Sequence, residues 1–239
     1  MDEVLVSAII PSYNRYSYLV NALTSIEKQT YKNIEIIVIN DGSDQNEYYS
    51  KELSNRVNLI NLKENQTQKN GFGPGSIRNF GINEASGKYI TFLDDDDYWL
   101  EDKVETQLNS LIDSKMKFSS TEGFFGAGPY NSENNYELYN SERFYKKIKK
   151  RYRGTNYMKN GFPEIWNHDF INVHNCIILS SVMVETDLIK LVGGFRNIPG
   201  AEDYDCWKAI LLHEDLLYVD KPLFYYDGSH GDGQKYLIN

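Results

Sequence analysis

The sequence predicts an α/β fold in which helices cover both faces of a mostly parallel central sheet. Two observations support this: β-branched apolar runs alternate with helical patterns through the first half of the chain, and most of these runs end on a cluster of polar residues. Continuous apolar runs are typical of parallel strands buried between helices. Because ligands of such sheets bind beyond the carboxyl ends of the strands, the polar clusters are the first candidates for a functional site.

The first half is expected to form four strands joined by helices. Pro11 is expected to end the first strand, because proline has no amide proton for a strand ladder. The strands are predicted at residues 4–10, 34–39, 57–62 and 88–93. The helices are predicted around residues 19–26 and at 44–55, 76–85 and 100–112.

The second half is less regular. Residues 121–140 are rich in Gly, Asn, Ser and aromatic residues, which indicates an extended loop or a hairpin insertion. A helix is expected to begin near Glu202, after the turn Gly193-Gly194-Phe195. The other expected elements are a strand at 174–179, a helix at 182–191 and short strands at 216–219 and 223–226.

Composition narrows the class of protein. The formal net charge of −9 argues against a general nucleic-acid binder, which needs a basic face. Two cysteines cannot form a disulfide framework, and their scarcity is typical of a reducing compartment. The apolar runs are shorter than the roughly 20 residues of a membrane span, and the acidic start is unlike a secretion signal. We therefore expect a cytoplasmic protein.

Four adjacent aspartates, Asp94 to Asp97, follow the strand predicted at 88–93. Adjacent carboxylates repel one another, and burial at the rim of a sheet makes their charged forms costlier. A divalent cation such as Mn²⁺ or Mg²⁺ would compensate them, typically with one or two carboxylates, water and substrate phosphates as ligands. The alternative is a solvated acidic loop that caps the next helix.

In six segments the sequence resembles the family 2 glycosyltransferases of the GT-A fold. Any one segment is weak, but all six follow the family's order across roughly residues 5–226. They are 6–15 (VSAIIPSYNR), 36–43 (IIVINDGS), 75–79 (GSIRN), 89–97 (YITFLDDDD), 193–195 (GGF) and 201–207 (AEDYDCW). The resemblance implies a Rossmann-like, mostly parallel sheet with a small antiparallel region on the acceptor side. It also implies one domain over 1–239, with a nucleotide-sugar half at 1–112 and an acceptor half at 113–239.

The resemblance assigns nucleotide contacts to the first loops. Asp41 matches the aspartate that reads the base, although Asp-Gly-Ser is also a common turn sequence. Pro11, Tyr13 and Arg15 would lie beside the base, ribose or phosphate, and their alternative is an exposed loop. Arg78 matches an arginine near the nucleotide, or else lies on a helix surface.

The acidic cluster matches the family's Asp-x-Asp motif. Asp96 is the predicted metal ligand, Asp94 is expected to contact ribose or metal-bound water, and Asp95 fills the variable position beside the donor. Asp97 is expected to cap the following helix. His230 is a candidate metal ligand, but the residues from Tyr226 to Gly231 depart from the family's usual Tyr-Arg-x-His ending.

Glu202 and Asp203 match the family's Glu-Asp pair, in which the aspartate is the catalytic base and the glutamate binds acceptor. A sugar hydroxyl is a poor nucleophile until its proton is being removed, so a carboxylate opposite the leaving diphosphate meets a chemical need. The alternative interpretation of the pair is a helix cap. The basic run from Lys146 to Arg153 is a solvated face, or a contact for an anionic acceptor or a membrane surface.

The expected function is therefore an inverting, metal-dependent transfer of a sugar from a nucleotide-diphosphate donor, the family's usual choice being UDP. The expected acceptor is a hydroxyl of a glycan, a lipid-linked sugar or a polymer. One alternative is a sugar-nucleotide-binding module without turnover. A nucleotidyltransferase is less favoured, since residues 12–15 lack the glycines of a triphosphate loop.

Overall fold

The computed structural model describes residues 3–71, 73–198 and 200–230, and within them the strands join into one sheet flanked by helices. The strands are β1 Val6–Ser12, β2 Ile34–Asn40, β3 Asn58–Asn61, β4 Tyr89–Phe92, β5 Tyr98–Trp99, β6 Phe118–Gly126, β7 Glu137–Leu138, β8 Ile165–Trp166, β9 Met183–Glu185 and β10 Leu216–Asp227. The α-helices are α1 Tyr16–Glu27, α2 Lys51–Arg56, α3 Gln66–Asn70, α4 Pro74–Glu84, α5 Lys103–Ser114, α6 Tyr145–Arg151, α7 His168–Val173, α8 Thr186–Leu191 and α9 Glu202–Ile210. The predicted α/β class is confirmed.

The main path of the sheet has the strand order β3-β2-β1-β4-β9-β6-β10-β5. Strands β3, β2, β1 and β4 are parallel, as the first-half pattern predicts. Strand β9 runs antiparallel to both β4 and β6, while β10 is parallel to β6. The antiparallel pairings all involve a second-half strand, so the small antiparallel region lies where the resemblance implies it.

Two apolar layers enclose the sheet, because successive strand residues point to opposite faces. Ile9 packs in one layer with Ile77 of α4 and Trp207 of α9. Its neighbour Ile10 packs in the other layer with Leu23 of α1, and that layer also includes helix α5. Helices therefore cover both faces, as predicted.

The first strand does not end before Pro11. It continues to Ser12, and Pro11 lies in register with Ile39 of β2. The carbonyl of Ile9 accepts from the Leu93 amide on the β4 side of the strand. Backbone groups two residues apart in a strand point to the same side, so the backbone nitrogen of Pro11 also faces the β4 side. Pairing with β4 stops at Ile9, so the missing amide proton costs no ladder bond.

The second half corrects several local predictions. The strand expected at 174–179 is wrong, because the strand beside β4 is formed by β9 a few residues later. The helix expected from residue 182 consequently begins only at Thr186. The hairpin interpretation of residues 121–140 is confirmed by the pairing of β6 with β7. The two strands predicted after residue 215 are one strand, β10, with register shifts on either side of Pro222.

The segment predicted as one helix at 44–55 is divided in two. A 3-10 turn covers Asn46–Tyr49, and α2 begins after Ser50, whose hydroxyl accepts from the Leu53 amide at 3.2 Å.

Both cysteines, Cys176 and Cys206, are buried and free. Across residues 3–71, 73–198 and 200–230, the helices are all too short or too polar to cross a bilayer.

Candidate active site

The carboxyl ends of β1, β2 and β4 bring the predicted polar clusters to one edge of the sheet. The amide of Asp41, after β2, donates to the carbonyl of Ser12 at the end of β1, at 3.0 Å. The Ser12 hydroxyl donates to Oδ2 of Asp95, after β4, at 2.6 Å. Ser12 thus connects its own polar cluster, residues 12–15, with residues 41–43 and 94–97, and the sequence did not assign it a role.

Three of the four aspartates after β4 pair with two arginine side chains. Arg78 of α4 forms an ion pair with Asp94. The guanidinium of Arg15 lies 3.3 Å from Oδ1 of Asp95 and 2.6 Å from Oδ2 of Asp96. The predicted nucleotide-site arginines and the predicted metal-binding carboxylates are therefore in direct contact.

The negative charge of this cluster is only partly compensated. Burial raises the pKa of Asp95 to about 7, against the opposing effect of Arg15. Burial, followed by the charge of Asp94, raises the pKa of Asp96 as well. Three carboxylates that face two guanidinium groups leave a site whose charge suits a divalent cation.

Asp97 has a structural role that the sequence did not indicate. Its Oδ2 accepts from the Ser180 hydroxyl at 2.5 Å, and its Oδ1 accepts from the Asp227 amide, at the end of β10, at 3.0 Å. The prediction that Asp97 caps the next helix is wrong, because α5 begins only at Lys103. Asp97 instead connects the acidic cluster to β10.

The base-side residues lie against helix α3. Oδ1 of Asp41 accepts from the amide of Gln66 at 2.8 Å, and Nε2 of Gln68 donates to the hydroxyl of Tyr13 at 3.3 Å. Gly42, at φ +72°, lies so close to the backbone of Glu64 that an added Cβ would be 2.5 Å from its carbonyl carbon. The Asp41 side chain thus accepts from the first residue of α3, and base reading by the same side chain stays a prediction.

Asp203, at the start of α9, belongs to the same site as the acidic cluster. It is half-buried, its Oδ1 accepts from the amide of Tyr204 at 2.6 Å, and its Oδ2 accepts from Nδ2 of Asn175 at 3.5 Å. Burial raises the pKa of Asp203; Asp94 raises it further, while Arg78 lowers it. Arg78 pairs with Asp94, and Glu202, the neighbour of Asp203, lies against α4, the helix that carries Arg78.

Glu202 is buried against the N-terminus of α4. The Gly75 amide approaches Oε1 of Glu202 at 3.5 Å, and a Cβ at Gly75 would lie 2.4 Å from its Cγ. The side chain therefore fits only because residue 75 is glycine. It positions the helix that carries Arg78, and its predicted role in acceptor binding stays a prediction.

His230 borders the site. Its carbonyl accepts from Nη2 of Arg15 at 3.3 Å, and its ring packs edge-on against Tyr226 with the centroids 5.6 Å apart. In the part of the chain that the structure describes, no three His, Cys, Asp or Glu side chains converge as metal ligands. A divalent cation that takes one or two carboxylates and a diphosphate still fits this edge, on charge and on donor type.

Tyr139 is a site residue that the sequence did not single out from its aromatic neighbours. It begins a π-helix, Tyr139–Arg143, whose amides at Asn140 and Ser141 donate to the buried carboxylate of Glu122 at 3.0 and 2.9 Å. Its ring packs against Tyr226 at 5.1 Å. Burial raises its pKa, and the negative charges of Asp97 and Asp203 raise it further.

The chain belongs to glycosyltransferase family 2. The family model described as glycosyl transferase family 2 matches residues 7–177. An uncharacterized glycosyltransferase from Rickettsia felis is 30% identical over 224 residues, which are 93% of this chain and 33% of that protein. The chain thus spans about a third of that relative. The UDP-Glc:alpha-D-GlcNAc-diphosphoundecaprenol beta-1,3-glucosyltransferase WfgD of Escherichia coli is 37% identical over 118 residues, 49% of this chain and 45% of WfgD.

Solved structures share the fold at low sequence identity. S. aureus TarS 1-349 in complex with UDP-GlcNAc gives a TM-score of 0.69 at 19% identity, covering 98% of this chain and 61% of the other. The mannosyltransferase PcManGT from Pyrobaculum calidifontis, in complex with GDP-Man and Mn2+, gives 0.62 at 16% identity, covering 94% and 57%. These similarities confirm the GT-A fold.

Proposed function

We propose that this chain is an inverting, metal-dependent glycosyltransferase that moves a sugar from a UDP-sugar to an acceptor hydroxyl in glycan or polysaccharide synthesis. The observation that supports this best is the packing of Glu202, the neighbour of Asp203, on helix α4, whose Arg78 pairs with Asp94 of the acidic cluster. The donor and acceptor named for WfgD, and the UDP-GlcNAc bound by TarS, favour the same chemistry.

The donor would lie across the ends of β1, β2 and β4. Asp41 would accept from the N–H of uracil, with Tyr13 packed on the base and Pro11 shaping the first loop. Arg15 and Arg78 would hold the diphosphate, because a guanidinium binds phosphate oxygens in a fork geometry.

A bound Mn²⁺ or Mg²⁺ would neutralise charge on the leaving diphosphate. Asp96 is the proposed metal ligand, with Asp94 contacting ribose or metal-bound water and His230 as a further candidate ligand. Asp95 would keep its hydrogen bond from the Ser12 hydroxyl, which holds the acidic cluster beside the end of β1. For Asp96 to reach the cation, Arg15 would shift from this carboxylate to the diphosphate.

Asp203 would act as the general base. It would take the proton of the acceptor hydroxyl as the new oxygen–carbon bond forms and the bond from the anomeric carbon to the diphosphate oxygen breaks. Attack from the side opposite the leaving group gives inversion in one displacement. Glu202, one residue earlier on α9, would bind the acceptor from its position beside the N-terminus of α4.

Substitution of the proposed base tests this function. Asp203→Asn should lower transfer from UDP-sugars by about 10²–10⁴-fold while leaving UDP binding intact, because only the proton acceptor is lost. The assay follows sugar transfer with Mn²⁺ over a panel of UDP-sugars and glycan acceptors, with and without a chelator. Calorimetry with UDP reports binding.

Asp205→Asn is the matched control, since Asp205 lies on the same helix and pairs with exposed Arg196. It should leave transfer unchanged. Transfer at the wild-type rate by Asp203→Asn would contradict the proposed base. UDP binding without turnover by the wild type on every sugar nucleotide would instead indicate a binding module.

We also propose that helix α6 contacts an anionic membrane surface. Lys146, Lys147, Lys149, Lys150 and Arg151 are exposed, while Ile148 is buried. The helix therefore presents one basic face on a chain whose formal charge is −9. A lipid-linked acceptor of the kind named for WfgD would be met at such a surface.

A further inference from the structure

A cleft separate from the active-site edge opens between α1, β5 and the loop that follows β6. Its volume is about 890 Å³, within the range of clefts that hold drug-sized ligands. Its lining includes Asn21, Thr24, Tyr98, Tyr130, Asn131 and Ser132. None of these residues belongs to the proposed donor or catalytic site.

The tyrosines of this cleft pack in a different group from the active-site aromatic residues. Tyr225 and Tyr226 are adjacent in β10, so their rings point to opposite faces. Tyr226 packs against Tyr139 and His230 at the active site. Tyr225 packs against Tyr130 at 5.4 Å and is in register with Tyr98 of β5.

The cleft presents aromatic rings with available hydroxyl groups. Tyr98 and Tyr130 stack with their centroids 4.7 Å apart and their planes at 26°. Both side chains are half-buried, and neither hydroxyl has a hydrogen-bond partner among the described residues. An amphipathic, partly exposed tyrosine pair of this kind is typical of binding surfaces rather than of a core.

The polar part of the lining favours an uncharged ligand. Asn21 is exposed on α1, and its amide has no hydrogen-bond partner in the described part of the chain. The charged residues of the cleft, Lys28 and Glu101, have opposite signs. Rings that can pack on the C–H face of a sugar, together with amide and hydroxyl groups at their edges, match the chemistry of a neutral oligosaccharide.

We propose that this cleft is a second carbohydrate site, which holds a neutral stretch of acceptor or product glycan away from the transfer site. The ligand class rests on the proposed function, since the acceptor of a glycosyltransferase is commonly a glycan. The stacked tyrosines supply the apolar contact, and Asn21 and Ser132 supply hydrogen bonds. Binding here requires neither the nucleotide donor nor a metal.

Titration with two neutral hexasaccharides, cellohexaose and chitohexaose, tests the site by calorimetry and by NMR. Their equatorial substituents leave flat C–H faces for the tyrosine rings. At least one hexasaccharide should bind, with an unchanged dissociation constant when UDP and Mn²⁺ are present at saturation. Binding that disappears when UDP is added would place the sugar at the active site and overturn the inference.

Two variants locate the binding. Asn21→Ala should raise the dissociation constant about fivefold, the effect of one lost hydrogen bond, without risk to the fold on an exposed helix face. Tyr130→Ala should raise it about tenfold or more. Asn109→Ala, an equally exposed asparagine on α5, is the matched control and should have no effect.

Two further results would also overturn the inference: failure of both hexasaccharides to bind, and binding that Asn21→Ala leaves unchanged. The first would leave the tyrosine surface as a contact for protein rather than for glycan. The assay needs no turnover, so its failure is distinguishable from a failure of the Asp203 experiment.

Discussion

Buried carboxylates without full compensation mark the candidate site at the scale of single residues. Asp95, Asp96 and Asp203 all have pKa values raised mainly by burial. Burial of such groups destabilises the folded state, and perturbed carboxylates of this kind cluster where a protein binds ions or transfers protons. The arginines that meet them are also the groups that would bind a diphosphate.

The pH dependence of transfer follows from the environment of Asp203. A base must be deprotonated, so its raised pKa moves the acid limb of kcat/KM above the usual aspartate range. We expect transfer to fall tenfold per pH unit below that raised pKa. Asp203 accepts from the Tyr204 amide and from Asn175, and its pKa is also influenced by the charges of Glu202, Asp94 and Arg78. A pH profile at saturating metal measures this limb, and a midpoint near or below pH 4 would contradict it.

The free energy of unfolding should depend on pH in the opposite sense to the rate of transfer. A carboxyl whose pKa is raised by folding favours the folded state when protonated, and that contribution is lost as pH rises through the raised pKa. At neutral pH, Asp203→Asn should therefore unfold at the same temperature as the wild type or higher. A clear loss of thermal stability would mean that the carboxylate mainly supports the fold.

Helix α6 shows how an element can divide its residues between core and surface. Ile148 and Tyr152 are buried, and the Tyr152 hydroxyl donates to the carbonyl of Phe170 at 2.8 Å. The basic side chains of α6 are exposed. Burial lowers the pKa of His174, and the positive charges of Arg151 and Lys147 lower it further.

Neutralising this face should weaken membrane contact. Replacement of Lys146, Lys147, Lys149 and Lys150 by alanine should lower binding to phosphatidylglycerol-containing vesicles by about 100-fold or more, at about 1 kcal/mol per basic residue. Cosedimentation with vesicles measures it. Four dispersed exposed lysines replaced by alanine give the same change in net charge and should bind as the wild type: Lys32, Lys51, Lys63 and Lys115. Equal binding by both variants would contradict a role for α6.

At the scale of the whole molecule, strand β10 joins the two halves of the chain. It pairs with β6 and β8 of the second half and with β5 of the first. Phe224 of β10 and Trp99 of β5 are both fully buried in one apolar layer. The layer on which α1 and α5 pack is therefore incomplete without the last strand.

A fragment of residues 1–112 should fail to fold cooperatively. It would expose Trp99 and the edge of β4 that β9 covers in the full chain. Scanning calorimetry should show a cooperative transition for residues 1–239 and none for the fragment. A sharp transition in the fragment would show that the predicted nucleotide-sugar half is an independent domain.

The sequence by itself determined the parallel strands, the helices on both faces and the polar clusters at the strand ends, because local periodicity records which residues are buried. The tertiary structure alone decided that Asp97 accepts from Ser180 and Asp227, that Glu202 packs on Gly75, and that Tyr139 packs against Tyr226. It also decided that the strand beside β4 is β9 rather than residues 174–179. These contacts join segments distant along the chain, and no local pattern of apolar residues records which distant partner a segment meets.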